Sequence, residues 1–399
     1  MENRINSPRP AGATPFSTAP ASPNQTPPAA NAHTAATAAA DSVARRSAAV
    51  HRNGFQTLRN RLAQQSGPVD TTRLNAFHAD GKMQIGEFLA PEERAALGVT
   101  HMRISDIENF SDADLQKMAE RDAKAGSTIT HLDLRNCRAL TNAGLANLKG
   151  FKNLESVNLD NCRWLNDAGL RHVGENEGLE SMSLRNGNGN GNGNIVGGIT
   201  DVGFACLSRL TALTSLDLRD NKRVSDTSLR HVAGMKKLTT LNLRNTGVTN
   251  AGLAHVNECE QLTSLSLSKT RISNDGLGSM SKLKKLESLD LSDCGRIDSA
   301  ELAHFKRMHQ LQSLNLASNA ATVMYGEKGF HMDEAGLLPL KGLDKLRDLN
   351  LANCAGVSDD ARLAHVDSLP QLRSINLKGT NVSVAAMARL RERNITVEQ

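Results

Sequence analysis

Residues 131–145 read HLDLRNCRALTNAGL, and variants of this phrase recur through the chain. Leu132 and Leu134 alternate with Asp133 and Arg135, which is the period of a short strand with one buried face. The aliphatic residue that opens each copy stands at Ile129, Leu154, Leu179, Leu213, Leu238, Leu262, Leu286, Leu311, Leu346 and Leu372. The copies are 24 to 26 residues apart, except for two steps of 34 and 35 residues that hold insertions.

A single copy is too short to bury its own leucines, so neighbouring copies must stack to form a continuous core. The pattern therefore predicts an α/β fold, a leucine-rich repeat solenoid of about ten αβ-type repeats over residues 128–399. The leucines face inward and the polar strand residues face the concave side. Ile395 and Val397 are expected to form a last strand that covers the final repeat, which leaves no length for a separate C-terminal domain.

Each helical phrase opens with a residue type that caps helix N-termini, which predicts a helix on the convex side of each repeat. These residues are Thr141, Asn166, Thr200, Ser225, Thr249, Ser273, Asp298, Asp333, Ser358 and Ser383. Ahead of them, a small residue that can satisfy turn backbone stands at Cys137, Cys162, Asn221, Thr246, Thr270, Cys294, Asn319, Cys354 and Thr380. Together with Cys206 and Cys259, the cysteines are interpreted as buried thiols of a reducing compartment, not disulfides or metal ligands.

Residues 1–69 differ from the repeats in composition, with eight of the eleven prolines, seven arginines and only two acidic residues. This composition predicts a disordered tail. Because the tail holds the whole net charge of +5, the repeats lack the basic excess of a nucleic-acid binder. No apolar run is long enough to span a membrane, and no secretory signal pattern is present.

The tail resembles the N-terminal signals of type III secreted effectors, which implies secretion by a bacterium into the cytoplasm of a host cell. The alternative is an ordinary unstructured tail.

Residues 70–127 show apolar spacing and clear capping signals. Phe110 and Leu115 flank Ser111 and Asp114 as a hydrophobic staple and capping box, which predicts a helix over 112–125. A second short helix is predicted from Pro91 to Leu97. We therefore expect a small helical segment in front of the first repeat.

The order of parts resembles F-box/leucine-rich-repeat proteins, because IGEFLAPEERAALGV at 85–99 looks like the middle of an F-box. The repeats, with AGLA at 143–146 and 251–254, are similar to the GALA effectors of plant-pathogenic bacteria. This resemblance implies a ubiquitin-ligase adaptor that docks a Skp-type protein through Ile85, Phe88, Leu89, Pro91, Leu97 and Val99 and binds host proteins through its repeats. The alternatives are that 70–127 only caps the solenoid and that the chain is an interaction scaffold without a ubiquitin link.

Two columns of polar residues are predicted along the concave face. The outer column is Arg135, Asp160, Arg185, Arg219, Arg244, Ser268, Ser292, Ala317, Ala352 and Lys378. The middle column is Asp133, Asn158, Ser183, Asp217, Asn242, Ser266, Asp290, Asn315, Asn350 and Asn376. The four arginines, with Asp133, Asp217 and Asn242, are interpreted as the site for an acidic partner segment. The alternative is a solvated face with pairs such as Asp217 near Arg185 or Arg244.

The insertions at 187–198 and 320–332 follow strands, at an edge where repeat proteins often bind partners. The first is a flexible Asn-Gly loop by composition, and the second offers Met324, Tyr325 and Phe330 as contact candidates. A histidine column on the convex side, His172, His231, His255, His304 and His365, is too widely spaced for one metal ion. No catalytic group, metal or cofactor is predicted, and a monomer is expected.

Overall fold

The computed structural model describes residues 83–84, 100–104, 109–124, 126–186, 198–318, 329–331, 337–354, 357 and 363–399. All of them fall in a compact unit that spans residues 70–399. The predictions of a disordered tail and of a helix from Pro91 to Leu97 lie outside the described residues. So do residues 187–197 of the first insertion and residues 320–328 and 332 of the second.

Thirteen strands of the described chain form one parallel sheet. They are β1 Met83–Gln84, β2 His101–Arg103, β3 His131–Asp133, β4 Ser156–Asn158, β5 Ser181–Ser183, β6 Ser215–Asp217, β7 Thr240–Asn242, β8 Ser264–Ser266, β9 Ser288–Asp290, β11 Ser313–Asn315, β13 Asp348–Asn350, β14 Ser374–Asn376 and β15 Thr396–Glu398. The ten predicted repeat strands are all present, and each pairs with the strand of the next repeat. The predicted solenoid is therefore confirmed.

From β2 to β14 the strands of this sheet are three residues long and bury the middle residue, so their outer residues face the concave side. Leu132, Leu216 and Leu289 in the middle positions are at most 2% exposed. The residue that follows each of these strands, such as Leu134, is buried as well. These aliphatic side chains form one continuous core along the sheet, because each repeat lies directly against the next.

Short helices form the opposite side of the solenoid. The α-helices are Asp112–Lys124, Asp167–Val173, Asp201–Ala205, Asp226–Val232, Asn250–Val256, Asn274–Leu277 and Val384–Glu392. The 3-10 helices are Gly144–Gly150, Cys206–Arg209, Gly278–Met280, Ser299–Arg307, Leu338–Leu340 and Ala364–Ser368. The repeats are therefore of αβ type in part and have 3-10 helices elsewhere.

The predicted caps are correct at five positions, where Asn166, Thr200, Ser225, Thr249 and Ser383 accept a hydrogen bond from a backbone N–H of the following turn. Ser273 and Asp298 precede helices without such a bond.

The hydrogen bond predicted for Thr141 is present, because its Oγ1 accepts the backbone N–H of Gly144 at 3.4 Å, but the 3-10 helix begins only at Gly144. Asp333 and Ser358 lie outside the described residues.

The N-terminal segment differs from its prediction as a purely helical cap. The helix Asp112–Lys124 is present as expected, but β1 and β2 add two strands to the sheet ahead of the first predicted repeat. VTHMRI at 99–104 matches ITHLDL at 129–134 position by position, and Met102 and Ile104 are buried like Leu132 and Leu134. Residues 100–104 and 109–124 therefore have the strand and the helix of a further repeat, with a longer helix.

The second insertion ends in a strand of its own. β12, Gly329–His331, pairs in parallel with β10, Arg296–Asp298, and places Phe330 opposite Ile297 in the register. This two-stranded sheet lies apart from the main one. The end of the insertion is thus tied to the turn before the Ser299–Arg307 helix.

Candidate protein-interaction surface

The side chains in the middle column of the concave face form hydrogen bonds with their own turns. In eight of its ten residues the side-chain oxygen accepts the backbone N–H two residues further on, at 2.9 to 3.2 Å. These residues are Asp133, Asn158, Asp217, Asn242, Asp290, Asn315, Asn350 and Asn376. The column therefore holds the turn after each strand, and this role explains why Asp and Asn recur there.

Two of the four predicted arginines form ion pairs with the aspartate that ends the strand of their own repeat. Arg135 Nη2 lies 2.8 Å from Asp133 Oδ2, and Arg219 Nη2 lies 2.7 Å from Asp217 Oδ2. The predicted pairing of Asp217 with Arg185 or Arg244 is wrong, because Arg219, two residues further along the chain, pairs with the Asp217 carboxylate. Both arginine side chains remain about one third exposed, at 35% and 34%.

The other two arginines have different neighbours. Arg185 Nε lies 3.4 Å from Asp220 Oδ2, and its side chain is 45% exposed. Arg244 Nη1 donates to Ser268 Oγ at 2.7 Å.

Three outer-column residues are buried: Asp160, Ser268 and Ser292. Asp160 Oδ1 accepts the Ser183 hydroxyl at 2.5 Å and the Arg185 backbone N–H at 2.9 Å, so its carboxylate supports the sheet and does not face a partner.

A pocket of about 620 Å³ lies beside the outer column, at the edge where the chain leaves the strands of the first three predicted repeats. We call it the rim pocket. Its lining includes Asn136, Arg138, Asn161, Arg163, Trp164 and Arg185. Sequence reasoning had singled out only Arg185. The signal that could have revealed the rest is the repeated Cys-Arg at 137–138 and 162–163.

A smaller cavity of about 200 Å³ opens on the concave face at its N-terminal end. His101 and His131 stack there with ring centroids 3.9 Å apart and an interplanar angle of 20°. Asp133 and Arg135, two residues of the predicted concave site, also line the cavity.

The cysteines at the turn position serve the backbone, as predicted. Cys162 Sγ donates to Leu134 O at 3.3 Å, and Cys294 Sγ donates to Leu267 O at 3.1 Å. Burial raises the pKa of Cys259 to about 11, and it raises those of Cys294 and Cys354 to about 12. All six cysteines are thiols, and five are buried as predicted, whereas Cys206 is only partly buried. A thiol that stays protonated is suited to donating a hydrogen bond.

Two histidines of the convex column lie beside a glutamate of their own repeat. His304 Nε2 lies 3.2 Å from Glu301 Oε2, and His172 Nδ1 lies 3.8 Å from Glu175 Oε2. In the described part of the chain, no three His, Cys, Asp or Glu side chains converge as metal ligands would. The helices of that same part include none with the length and apolarity of a membrane span.

The predicted adaptor-binding residues lie outside the described residues, as do Met324 and Tyr325. For Phe330 the structure describes the backbone in β12 but not the side chain. These assignments stay predictions.

Comparison with known proteins supports the fold. Models of the family described as leucine rich repeat match residues 127–149, 234–254 and 260–320. An internalin (inlF) of Listeria monocytogenes is 17% identical with a TM-score of 0.53, and the match covers 79% of each chain.

Two further solved structures match with lower TM-scores. The internalin C2 of the same organism is 19% identical at a TM-score of 0.40, with 65% of this chain and 92% of that chain covered. The mouse RP105/MD-1 complex is 22% identical at 0.46, with 70% and 42% covered. No curated protein matches in sequence. The chain is thus a leucine-rich repeat solenoid in fold.

Proposed function

We propose that this protein is an interaction scaffold that holds a partner protein on its concave face, delivered by a bacterium into the cytoplasm of a host cell. The observation that carries the proposal is the open face of the thirteen-stranded sheet, with partly exposed Arg135, Arg185 and Arg219 on one side of it. A long row of polar side chains on a rigid sheet suits recognition of another macromolecule.

The finer proposal is that residues 85–99 dock a Skp-type adaptor and so present the bound host protein to a ubiquitin ligase. It is supported by the F-box-like sequence there.

The second candidate, a scaffold without a ubiquitin link, is supported by a structural observation. β2 and the helix Asp112–Lys124 build a repeat of the solenoid, so this part of the N-terminal segment already has a structural task.

The concave site is tested by site-specific photo-crosslinking in a host-cell extract. A photoreactive residue in place of Ser215, on the concave face, should give a discrete crosslinked partner that Arg219→Glu abolishes. The same residue at exposed Thr227, on the helical side, is the matched control. Equal crosslinking from both positions would contradict a concave site.

The adaptor step is tested separately with purified Skp-type adaptor. The full-length chain should capture the adaptor, and Phe88→Ala with Leu89→Ala should abolish capture while the Ser215 crosslink remains. If the unmodified chain captures no adaptor, the scaffold without a ubiquitin link is the correct function.

Translocation of a reporter fused to residues 1–69 tests delivery, and its failure would contradict the secretion signal.

A further inference from the structure

We propose that the rim pocket binds an acidic peptide segment of the partner protein. This inference rests on the proposed function as a protein-binding scaffold and adds the chemistry of the partner. It also moves the main charge contact from the centre of the concave face to its edge.

Stacked turns bring the pocket residues together. Asn136 and Asn161 adopt the left-handed conformation, with φ of 57° and 58°. The backbone N–H of Asn136 donates to Asp160 O at 3.1 Å, and that of Asn161 donates to Arg185 O at 2.7 Å. Each turn is thereby fixed to the next repeat, so the arginines that follow the turns lie on one edge of the solenoid.

Trp164 gives the pocket a fixed wall. Its Nε1 donates to Cys137 O at 2.6 Å, and its own carbonyl accepts from Asn142 Nδ2 at 2.9 Å. The indole is only partly buried, so one part of the ring faces the pocket space. A ring held at both its nitrogen and its backbone offers apolar contact area at low entropic cost.

The charged side chains that line the pocket in the described structure are all arginines. Arg138 and Arg163 are exposed, and Arg185 is 45% exposed beside Asp220. No acidic side chain is part of the pocket lining in the described structure. Guanidinium groups bind carboxylates in bidentate geometry, so neighbouring arginines fit a segment that carries several Asp or Glu residues.

A peptide fits this pocket better than a nucleic acid does. Among the described residues only one aromatic ring lines the pocket, whereas single strands are bound on successive stacking platforms. Residues 70–399 also carry equal numbers of basic and acidic side chains, so the solenoid lacks the extended basic surface that phosphate backbones require.

Trp164 is the only tryptophan of the chain, so its fluorescence reports on the pocket directly. Full-length protein is titrated with a peptide of alternating Glu and Ser, with a Gln and Ser peptide of the same length as control. We expect a saturable change with the Glu peptide only, and a change that weakens as salt is raised. Arg138→Gln with Arg163→Gln should weaken binding by at least about tenfold.

Arg230→Gln is the matched control, because Arg230 is an exposed arginine on a convex helix. It should leave the titration unchanged. Melting curves of the variants identify any loss of fold, and Arg163→Lys serves as the second, milder variant, with an expected intermediate affinity.

Absence of a saturable change would overturn the inference, as would tighter binding of a single-stranded oligonucleotide. Neither result would affect the Ser215 crosslink, so failure of this inference is distinguishable from failure of the proposed function.

Discussion

In many repeats the residue two positions after the buried leucine that follows the strand adopts the left-handed conformation. Asn136, Asn161, Asp220, Asn245, Asp293 and Asn353 have φ between 54° and 68°. Asn and Asp tolerate this region better than other residues with a Cβ. Lys269 departs from the pattern, with a φ of 58° at the same position.

We predict that Lys269→Asn stabilises the protein by roughly 0.5 kcal/mol, because Asn lowers the cost of the left-handed backbone. Lys269 is exposed, and its backbone N–H donates to Ser292 O at 2.9 Å in a bond that the variant keeps. Urea denaturation measures the change. Lys269→Ala is the control and should give no gain; a gain of equal size from Ala would contradict the conformational explanation.

Several helical phrases have a glycine three residues after the cap residue, and the neighbouring repeat requires that glycine. A Cβ at Gly203 would lie 2.7 Å from Asp167 Cα, and one at Gly252 or Gly276 would collide with the Asp226 or Asn250 side chain of the preceding repeat. The position is therefore small because an Asp or Asn of the preceding repeat occupies the space.

We predict that Gly203→Ala costs about 1–3 kcal/mol through overpacking. Thermal or urea unfolding measures the loss. Gly234→Ala is the matched control, since a Cβ there has its nearest neighbour, His231 O, at 3.5 Å. Equal losses at both glycines would show that a general glycine effect, and not the Asp167 contact, sets the cost.

Neighbouring helices are joined at their N-termini by a series of Asp and Asn side chains, which we call the cap ladder. Its members are Asp112, Asn142, Asp167, Asp201, Asp226, Asn250 and Asn274. Each accepts the backbone N–H of the residue that opens the next helical phrase, at 2.8 to 3.3 Å. The ladder couples seven consecutive pairs of repeats outside the leucine core.

Asp201 makes the ladder sensitive to acid. Burial alone would raise the pKa of its carboxyl, but hydrogen bonds from Ser228 and Ser225 outweigh burial and hold the pKa below the ordinary 3.8. A depressed folded pKa gives stability that is fully present above 3.8 and is lost as pH falls through the lower folded value.

We therefore predict that Asp201→Asn reduces the loss of stability between neutral pH and about pH 3. Urea unfolding at the two pH values measures that loss. Asp275→Asn is the matched control, because Asp275 is exposed and is not a member of the cap ladder. An unchanged pH dependence in Asp201→Asn would contradict the assignment.

Cap residues could be predicted because their identity is local, whereas the ladder partner lies in the preceding repeat. Nothing in the Thr200 phrase itself identifies Asp167 as its neighbour.

The strand β2 was missed for a related reason. Met102 replaces the expected leucine, and the step from 99 to 129 is longer than the regular spacing.

At the scale of the whole molecule, the hydrophobic period was sufficient to predict the solenoid, all ten repeat strands and the last strand, β15. It identified the columns of the concave face but not the charge partners within them. Whether Arg219 pairs with Asp217 or stays open depends on side-chain conformations that a sequence pattern does not contain. The rim pocket was missed because its residues come from turns of three repeats.

Both insertions leave the parallel register of the sheet intact, so that one uninterrupted face is available to a partner. Ser181 and Ser215 are direct neighbours across the first insertion, and Ser313 and Asp348 are neighbours across the second. Neighbouring strands lie about 4.8 Å apart, which is within the span of a disulfide.

The most direct measurement is therefore oxidation of Ser181→Cys with Ser215→Cys, and of Ser313→Cys with Asp348→Cys, followed by peptide mapping by mass spectrometry. Both pairs should form a disulfide rapidly. The off-register pair Ser181→Cys with Asp217→Cys, at roughly 8 Å, should not. Rapid linkage of the off-register pair, or no linkage of the two in-register pairs, would contradict the continuous face on which the proposed function depends.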